Sequence, residues 1–196
     1  YAFMINALID LYETTFEIKY LIRASNLNEF LIKEFWDEQD GGFYFTSTNN
    51  EELITRQKDI YDGAIPSGNS IALLNLIRLA RFTAKDGFEK KASELVKYFS
   101  SHIFESPSAF SMLMCGLDFL FSSSTEIVIV DNQNNSNTIN GLNLIRSIYN
   151  PNKVVILKTG NESQNFKKLF PFTNDMKMKD NYTTFFVCRD YTCNQP

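Results

Sequence analysis

Gly68-Asn69-Ser70-Ile71-Ala72-Leu73-Leu74-Asn75-Leu76-Ile77-Arg78-Leu79-Ala80-Arg81-Phe82-Thr83-Ala84 decides how the first part of this chain is read. Its apolar side chains cover most of a helical circumference. Only Asn75, Arg78 and Arg81 interrupt them, at a spacing of three. A helix apolar nearly all round is expected inside a larger body. Downstream, Phe88 to Ser101 has a different pattern. Ala92, Leu95, Val96 and Phe99 form one face, with Glu89, Lys90, Lys91, Glu94 and Lys97 opposite, as in an outer helix. Pro107 to Phe121 is again nearly all apolar, with Asp118 its lone charge. Alternating inner and outer helices predict two layers, so residues 1–122 are expected to be mainly α and part of an α/α toroid.

Upstream, Tyr1–Ala24 and Asn26–Phe35 read as two helical segments, the first with Ala7, Leu8, Leu11, Tyr12 and Thr15 on one stripe. No N-cap residue precedes the first, so the sequence is expected to continue a longer chain. Asp40-Gly41-Gly42 reads as a tight turn, because paired glycines supply positive φ. Phe43-Tyr44-Phe45-Thr46 reads as a short extended piece. There Phe43 and Phe45 alternate into the core and Tyr44 faces out, or Tyr44 and its neighbours floor a sugar pocket. Asn49 to Ser67 is a long irregular stretch of the kind that often carries function.

The character changes at Ser122-Ser123-Ser124-Thr125. Glu126–Val130 and Lys153–Leu157 are β-branched apolar runs, read as buried strands flanking a helix at Ile139–Tyr149, in the order of a parallel β-α-β unit. Thr183–Cys188 is a third strand, and Asn132–Asn137 a polar surface loop. Residues 123–196 are therefore expected to form a small α/β module.

The composition narrows the function classes. A net charge of −4 without a basic stripe argues against nucleic-acid binding. The Lys167-Lys168, Lys177 and Lys179 cluster reads as a solvated surface. No apolar run reaches the roughly 20 residues of a membrane span, and no secretory signal is visible. Three cysteines are too few for a disulfide scaffold, so a cytoplasmic, reducing setting is expected. Four residues separate Cys188 from Cys193, which excludes the shorter redox spacing. A reversible disulfide, a shared metal site, or two buried thiols packing a terminal strand all fit. No nucleotide-binding motif is present and no cofactor is expected.

The densest chemistry lies in Arg56-Gln57-Lys58-Asp59-Ile60-Tyr61-Asp62-Gly63-Ala64-Ile65-Pro66-Ser67-Gly68-Asn69. Asp62, ahead of Gly63, is the first acid/base candidate, with Asp59 and Tyr61 beside it. Arg56, Lys58, Asn69 and Tyr44 are candidates for holding an anionic or polyhydroxyl ligand. The structural alternative has Ser67 capping the next helix and Asp62 paired with Arg56 or Arg78.

Two blocks, Trp36-Asp37 with Gly41-Gly42-Phe43-Tyr44-Phe45-Thr46, and Tyr61-Asp62-Gly63-Ala64-Ile65-Pro66-Ser67-Gly68-Asn69-Ser70, carry a wider likeness. With Ala109-Phe110 through Asp118-Phe119, and the ending Val187-Cys188-Arg189, Tyr191, Cys193 and Pro196, the chain resembles the thioredoxin-domain proteins related to spermatogenesis-associated protein 20. The resemblance implies a central domain like the six-hairpin helical barrels of glycoside hydrolases and N-acylglucosamine 2-epimerases. It also implies a partner, the N-terminal thioredoxin-like domain of the same longer protein. A sugar ligand at the 56–69 loop follows from it, either processed there or only bound. The alternative it allows is a scaffold that presents clients to the redox domain, with Cys188 and Cys193 exchanging disulfides.

Overall fold

The structure is a computed structural model and describes residues 1–49, 55–132, 136–189 and 192–193. Parts of the stretches read as loops at 49–67 and 132–137, and Tyr191 and Pro196 of the terminal block, lie outside the described residues. The chain is mainly helical with a small four-stranded mixed sheet. It divides into two units, Tyr1–Ala80 with Lys85–Phe121, and Arg81–Ala84 with Ser122–Pro196.

In the first unit, α1 (Ala2–Thr15) and α2 (Ile18–Phe35) form a helical pair. The break falls at Phe16, not at Ser25 as the sequence pattern suggested. Phe16 adopts a left-handed conformation at φ 55° and its N–H caps Tyr12 O. The cause is local. Thr14 and Thr15 turn their hydroxyls back onto the carbonyls of Asp10 and Leu11, and the Thr15 hydroxyl also takes the Glu17 N–H. Such bonds compete with helix continuation. The buried stripe of α1 is Ala2, Ile5, Ile9 and Tyr12, whereas Ala7, Leu11 and Thr15 face outward.

Helix α3 (Gly68–Thr83) is as buried as its composition predicts, with Leu73, Leu76, Ile77 and Leu79 fully enclosed. Its polar stripe is enclosed too. Asn75 donates to Ala2 O at 2.7 Å, and Arg78 forms ion pairs with Asp10 and Glu13 on α1. Helix α4 (Asp86–Glu105) is amphipathic, burying Phe88, Ala92, Leu95 and Phe99. A 3-10 turn at Pro107–Phe110 leads into α5 (Ser111–Phe121). The expectation of an inner helix here is corrected. Leu113, Gly116 and Phe119 are buried, but Met114, Cys115 and Phe121 are exposed. Gly116 is needed for the contact with α3, since a Cβ there would lie 2.8 Å from the Leu73 side chain.

The second unit holds β1 (Thr125–Val130), α6 (Ser136–Ser147), β2 (Lys153–Lys158), the short α7 (Gln164–Leu169), β3 (Thr184–Arg189) and β4 (Thr192–Cys193). The strand order is β2-β1-β3-β4. β1 pairs β2 in parallel, from Thr125 opposite Lys153 to Val130 opposite Lys158, and pairs β3 antiparallel. The antiparallel β3–β4 pairing sets Cys188 opposite Cys193, and the two are joined as a disulfide. Cys188 is buried and Cys193 exposed, so they are not two buried thiols. Among the described residues no helix is long and apolar enough to cross a membrane.

Candidate functional site

The 56–69 loop does not gather its polar side chains around one point. It distributes them in three directions.

Arg56 and Lys58 turn toward the Gly41-Gly42 turn. Lys58 Nζ lies 2.7 Å from Asp37 Oδ2, with both side chains buried, and donates to Gly41 O at 2.7 Å. It also sits 3.7 Å from the centre of the Tyr98 ring. Tyr44 donates its hydroxyl to Asp37 Oδ2 at 2.6 Å, and the Arg56 guanidinium covers the Tyr44 ring at 4.0 Å. The N–H groups of Gln39 and Asp40 complete the shell of Asp37. Burial alone would raise the Asp37 pKa. The Lys58 ammonium, the Tyr44 hydroxyl and the two N–H groups outweigh it and hold the carboxyl well below the usual range. Tyr44 is pushed up to about 12, first by its bond to Asp37 and then by burial. Within this cluster Lys58 and Asp37 neutralise each other. Gly41 and Gly42, at φ 82° and 79°, let the backbone wrap it.

Asp62 faces the opposite way. It is buried, and its Oδ1 accepts the Ser67 N–H at 2.8 Å. Its Oδ2 accepts the N–H groups of Met112 and Leu113 at 2.8 and 3.0 Å. Met112 and Leu113 open α5, where helical N–H groups have no partner of their own and a carboxylate is favoured. Asp62 thus ties the loop to the start of α5 and pairs with neither Arg56 nor Arg78. Ser67 accepts the Ser70 N–H at 3.0 Å and caps α3.

Asn69 uses its whole amide as a clamp. Its Oδ1 takes the Phe43 N–H at 2.7 Å, and its Nδ2 donates to Phe43 O and Asp59 O. Phe43 is thereby fixed against Trp36, with ring centroids 4.9 Å apart. Phe45, expected to alternate inward with Phe43, is 78% exposed. The extended piece is a single bridge between Trp36 and Phe43, so no strand period carries past it.

Beside the clamp lies a cavity of about 410 Å³, walled by Tyr1, Phe3, Phe35, Phe43, Tyr44, Phe45 and Tyr61. Asp59 lines it, and it is the only carboxylate among the described lining residues. Of the seven loop and turn candidates, Tyr44, Asp59, Tyr61 and Asn69 meet this cavity, and Arg56, Lys58 and Asp62 do not. Only Asp59 and Tyr61 are exposed. Asp37 and Tyr98 were not among the candidates, although Asp37 sits in the Trp36-Asp37 block that precedes the glycines. Among the described residues no group of three or more His, Cys, Asp and Glu side chains could hold a metal ion. Joined as a disulfide, Cys188 and Cys193 offer no thiolate for one.

The chain is 32% identical over 197 aligned residues to human spermatogenesis-associated protein 20, and equally so to its mouse and rat counterparts. The similarity takes in 100% of this chain and 25% of each relative, so the chain is homologous to a quarter of that protein's length. No protein-family model matches.

Proposed function

We propose that the first unit binds a carbohydrate in the aromatic cavity, as part of a six-hairpin-type α/α toroid in a longer, thioredoxin-domain-containing, cytoplasmic protein. In this proposal residues 1–122 and 123–196 are separate domains. The observation that carries it is the cavity's lining, a set of aromatic rings with one exposed carboxylate, Asp59, and two exposed phenols, Tyr1 and Tyr61, among the described residues. Rings take the apolar faces of a sugar, and a few placed polar groups take its hydroxyls. Asp59 and Tyr61 are the groups proposed to meet the ligand. Asn69, Tyr44, Lys58 and Arg56 build the wall behind it.

Binding is favoured over processing. A glycosidase needs two carboxyl groups across the scissile bond. Asp59 is the one lining carboxylate among the described residues, and Asp62 accepts three backbone N–H bonds away from the cavity. The structural use of Asp62, with exposed Phe3, Phe45 and Ile65 around the cavity, also supports a second reading. In it the unit is a non-catalytic scaffold for client polypeptides, partnered by a thioredoxin-like domain that exchanges disulfides with Cys188 and Cys193.

A thermal-shift screen of sugars and sugar phosphates separates the two, because a ligand of the folded state raises apparent stability by mass action. The sugar reading expects a shift in the wild type that Asp59→Asn and Tyr61→Ala both lose. No shift across the panel sinks it and leaves the scaffold.

A further inference from the structure

A second cavity, of about 400 Å³, lies in the other unit, where β1 and β2 end side by side. Val130 and Asn132 line it from the end of β1, and Lys158 and Gly160 from the end of β2. In open α/β sheets ligands bind beyond the carboxyl ends of the strands, where the strand order reverses, and this cavity shares the first of those features. Here the chain keeps that crevice clear. Gly160 has φ 81°, and a Cβ on it would stand 2.5 Å from Asn132 Oδ1. A side chain here would have to push the Asn132 amide aside and would sit in a strained backbone conformation.

The lining has two characters. Phe166, Met176 and Met178 supply an apolar wall. Lys158, Lys167 and Lys177 supply three ammonium groups, against a single lining carboxylate, Glu162. Glu162 already accepts the Gly160 N–H at 2.6 Å. Asp175 lies close enough to act on Lys158 but is not part of the lining. None of the three lysines has a carboxylate within ion-pair distance among the described residues. Lys158 is buried and donates to the carbonyls of Thr173, Asn174 and Met176 at 2.7, 3.2 and 2.8 Å. It is a fixed positive charge behind the wall, and burial pushes its pKa down despite the opposing fields of Glu162 and Asp175. Lys167 and Lys177 are exposed and free to reach in. They come from α7 and from the segment after the 3-10 turn at Pro171–Thr173, so the fold, not the sequence spacing, brings them together.

We propose that this cavity binds a small molecule carrying a phosphate on an apolar body, the phosphate between Lys167 and Lys177 in the field of Lys158, and the body against Phe166, Met176 and Met178. Phosphate is matched by convergent ammonium groups, and the apolar wall separates a substituted phosphate from the bare ion.

The test is nuclear magnetic resonance of the whole chain, with the Gly160 amide as reporter. The probes are phenyl phosphate, inorganic phosphate and neutral benzyl alcohol, at constant ionic strength. Phenyl phosphate is expected to move the Gly160 amide saturably, inorganic phosphate to do so more weakly, and benzyl alcohol not to do so. Lys167→Ala with Lys177→Ala should weaken phenyl phosphate by roughly tenfold or more, each lost charged hydrogen bond being worth about that factor. Glu162→Gln should tighten it, and it decides the matter should the double variant fail to fold. No saturable shift, an equal response to benzyl alcohol, a double variant that binds like the wild type, or a Glu162→Gln variant that binds no tighter would each overturn the proposal. Binding by inorganic phosphate as strong as by phenyl phosphate would overturn the role of the apolar wall.

Discussion

The 56–69 loop and the strand-end cavity of the second unit treat charge in opposite ways. In the loop, Lys58 meets Asp37, Arg56 covers Tyr44, and Asp62 meets three backbone N–H groups. In the strand-end cavity, three lysines face a space with one carboxylate in its lining. The loop is the denser cluster in sequence, yet each of these charges already has a partner within the fold. The lysines are scattered in sequence, yet the fold gathers them with no carboxylate at ion-pair distance among the described residues. Polar residues crowded along a chain have near neighbours to satisfy them, so crowding is weak evidence of a site. Uncompensated charge at a cavity is stronger evidence, because burial without a partner is costly unless something arrives to supply one.

The largest effect that could break this contrast is at Asp62. If its carboxylate is a structural tie, Asp62→Ala leaves three N–H donors without their acceptor. Stability measured by urea denaturation should then fall by about 3–5 kcal/mol. Asp62→Asn keeps an acceptor oxygen and should fall by about half as much. An Asp62→Asn protein as stable as the wild type would return Asp62 to the list of groups held for chemistry.

Next comes the buried pair. Lys58→Met removes the cation from Asp37 and should lower stability by about 3 kcal/mol, the usual cost of leaving one partner of a buried pair uncompensated. The pH dependence has a definite sign. The Asp37 pKa is depressed in the fold, so its contribution is present above the unfolded value of about 3.9 and is lost as pH falls below it. The Tyr44 pKa is raised to about 12, so its contribution is full below the unfolded value of about 10 and is lost as pH rises through about 12. An alkaline titration followed by phenolate absorbance, with Tyr44→Phe as reference, should show Tyr44 ionising late. Asp37→Asn should bring it down toward about 10. A late phenolate unchanged in Tyr44→Phe would mean that Tyr44 is open to solvent and that its bond to Asp37 does not hold.

The two regions also differ in how far the sequence exposes them. The helix from Gly68 and the two strands at 125–130 and 153–158 follow from composition and period alone, because an apolar surface that continuous has to be buried. The break at Phe16 does not. It depends on two threonine hydroxyls outcompeting the helix, which periodicity does not register. Cys188 and Cys193 show a similar gap. Their four intervening residues look unlike a redox motif, but a hairpin sets them face to face. The loop's residues were identifiable as a polar set, while their partners were not. Asp62 bonds to Met112 and Leu113, 50 and 51 residues away. Conversely, Lys167 and Lys177 looked like solvated surface because nothing in their spacing shows that one cavity collects them.

The smallest expected stability effect belongs to those two lysines, and it sharpens the contrast most. Exposed and without ion pairs among the described residues, they contribute little to folding, so Lys167→Ala with Lys177→Ala should change stability by less than about 0.5 kcal/mol. Removing two cations from a cluster that repels itself could even stabilise the unit slightly. Denaturation curves of the double variant and the wild type, taken without any added anion and again with phenyl phosphate, should therefore coincide in the first condition and separate in the second. A residue that builds the fold is missed when it is removed, whether or not a ligand is present. One that waits for a ligand is missed only in the ligand's presence. On that criterion Asp62 and Lys58 belong to the first kind, and Lys167 and Lys177 to the second. A double variant markedly less stable without anion would move the lysines to the same side as the loop.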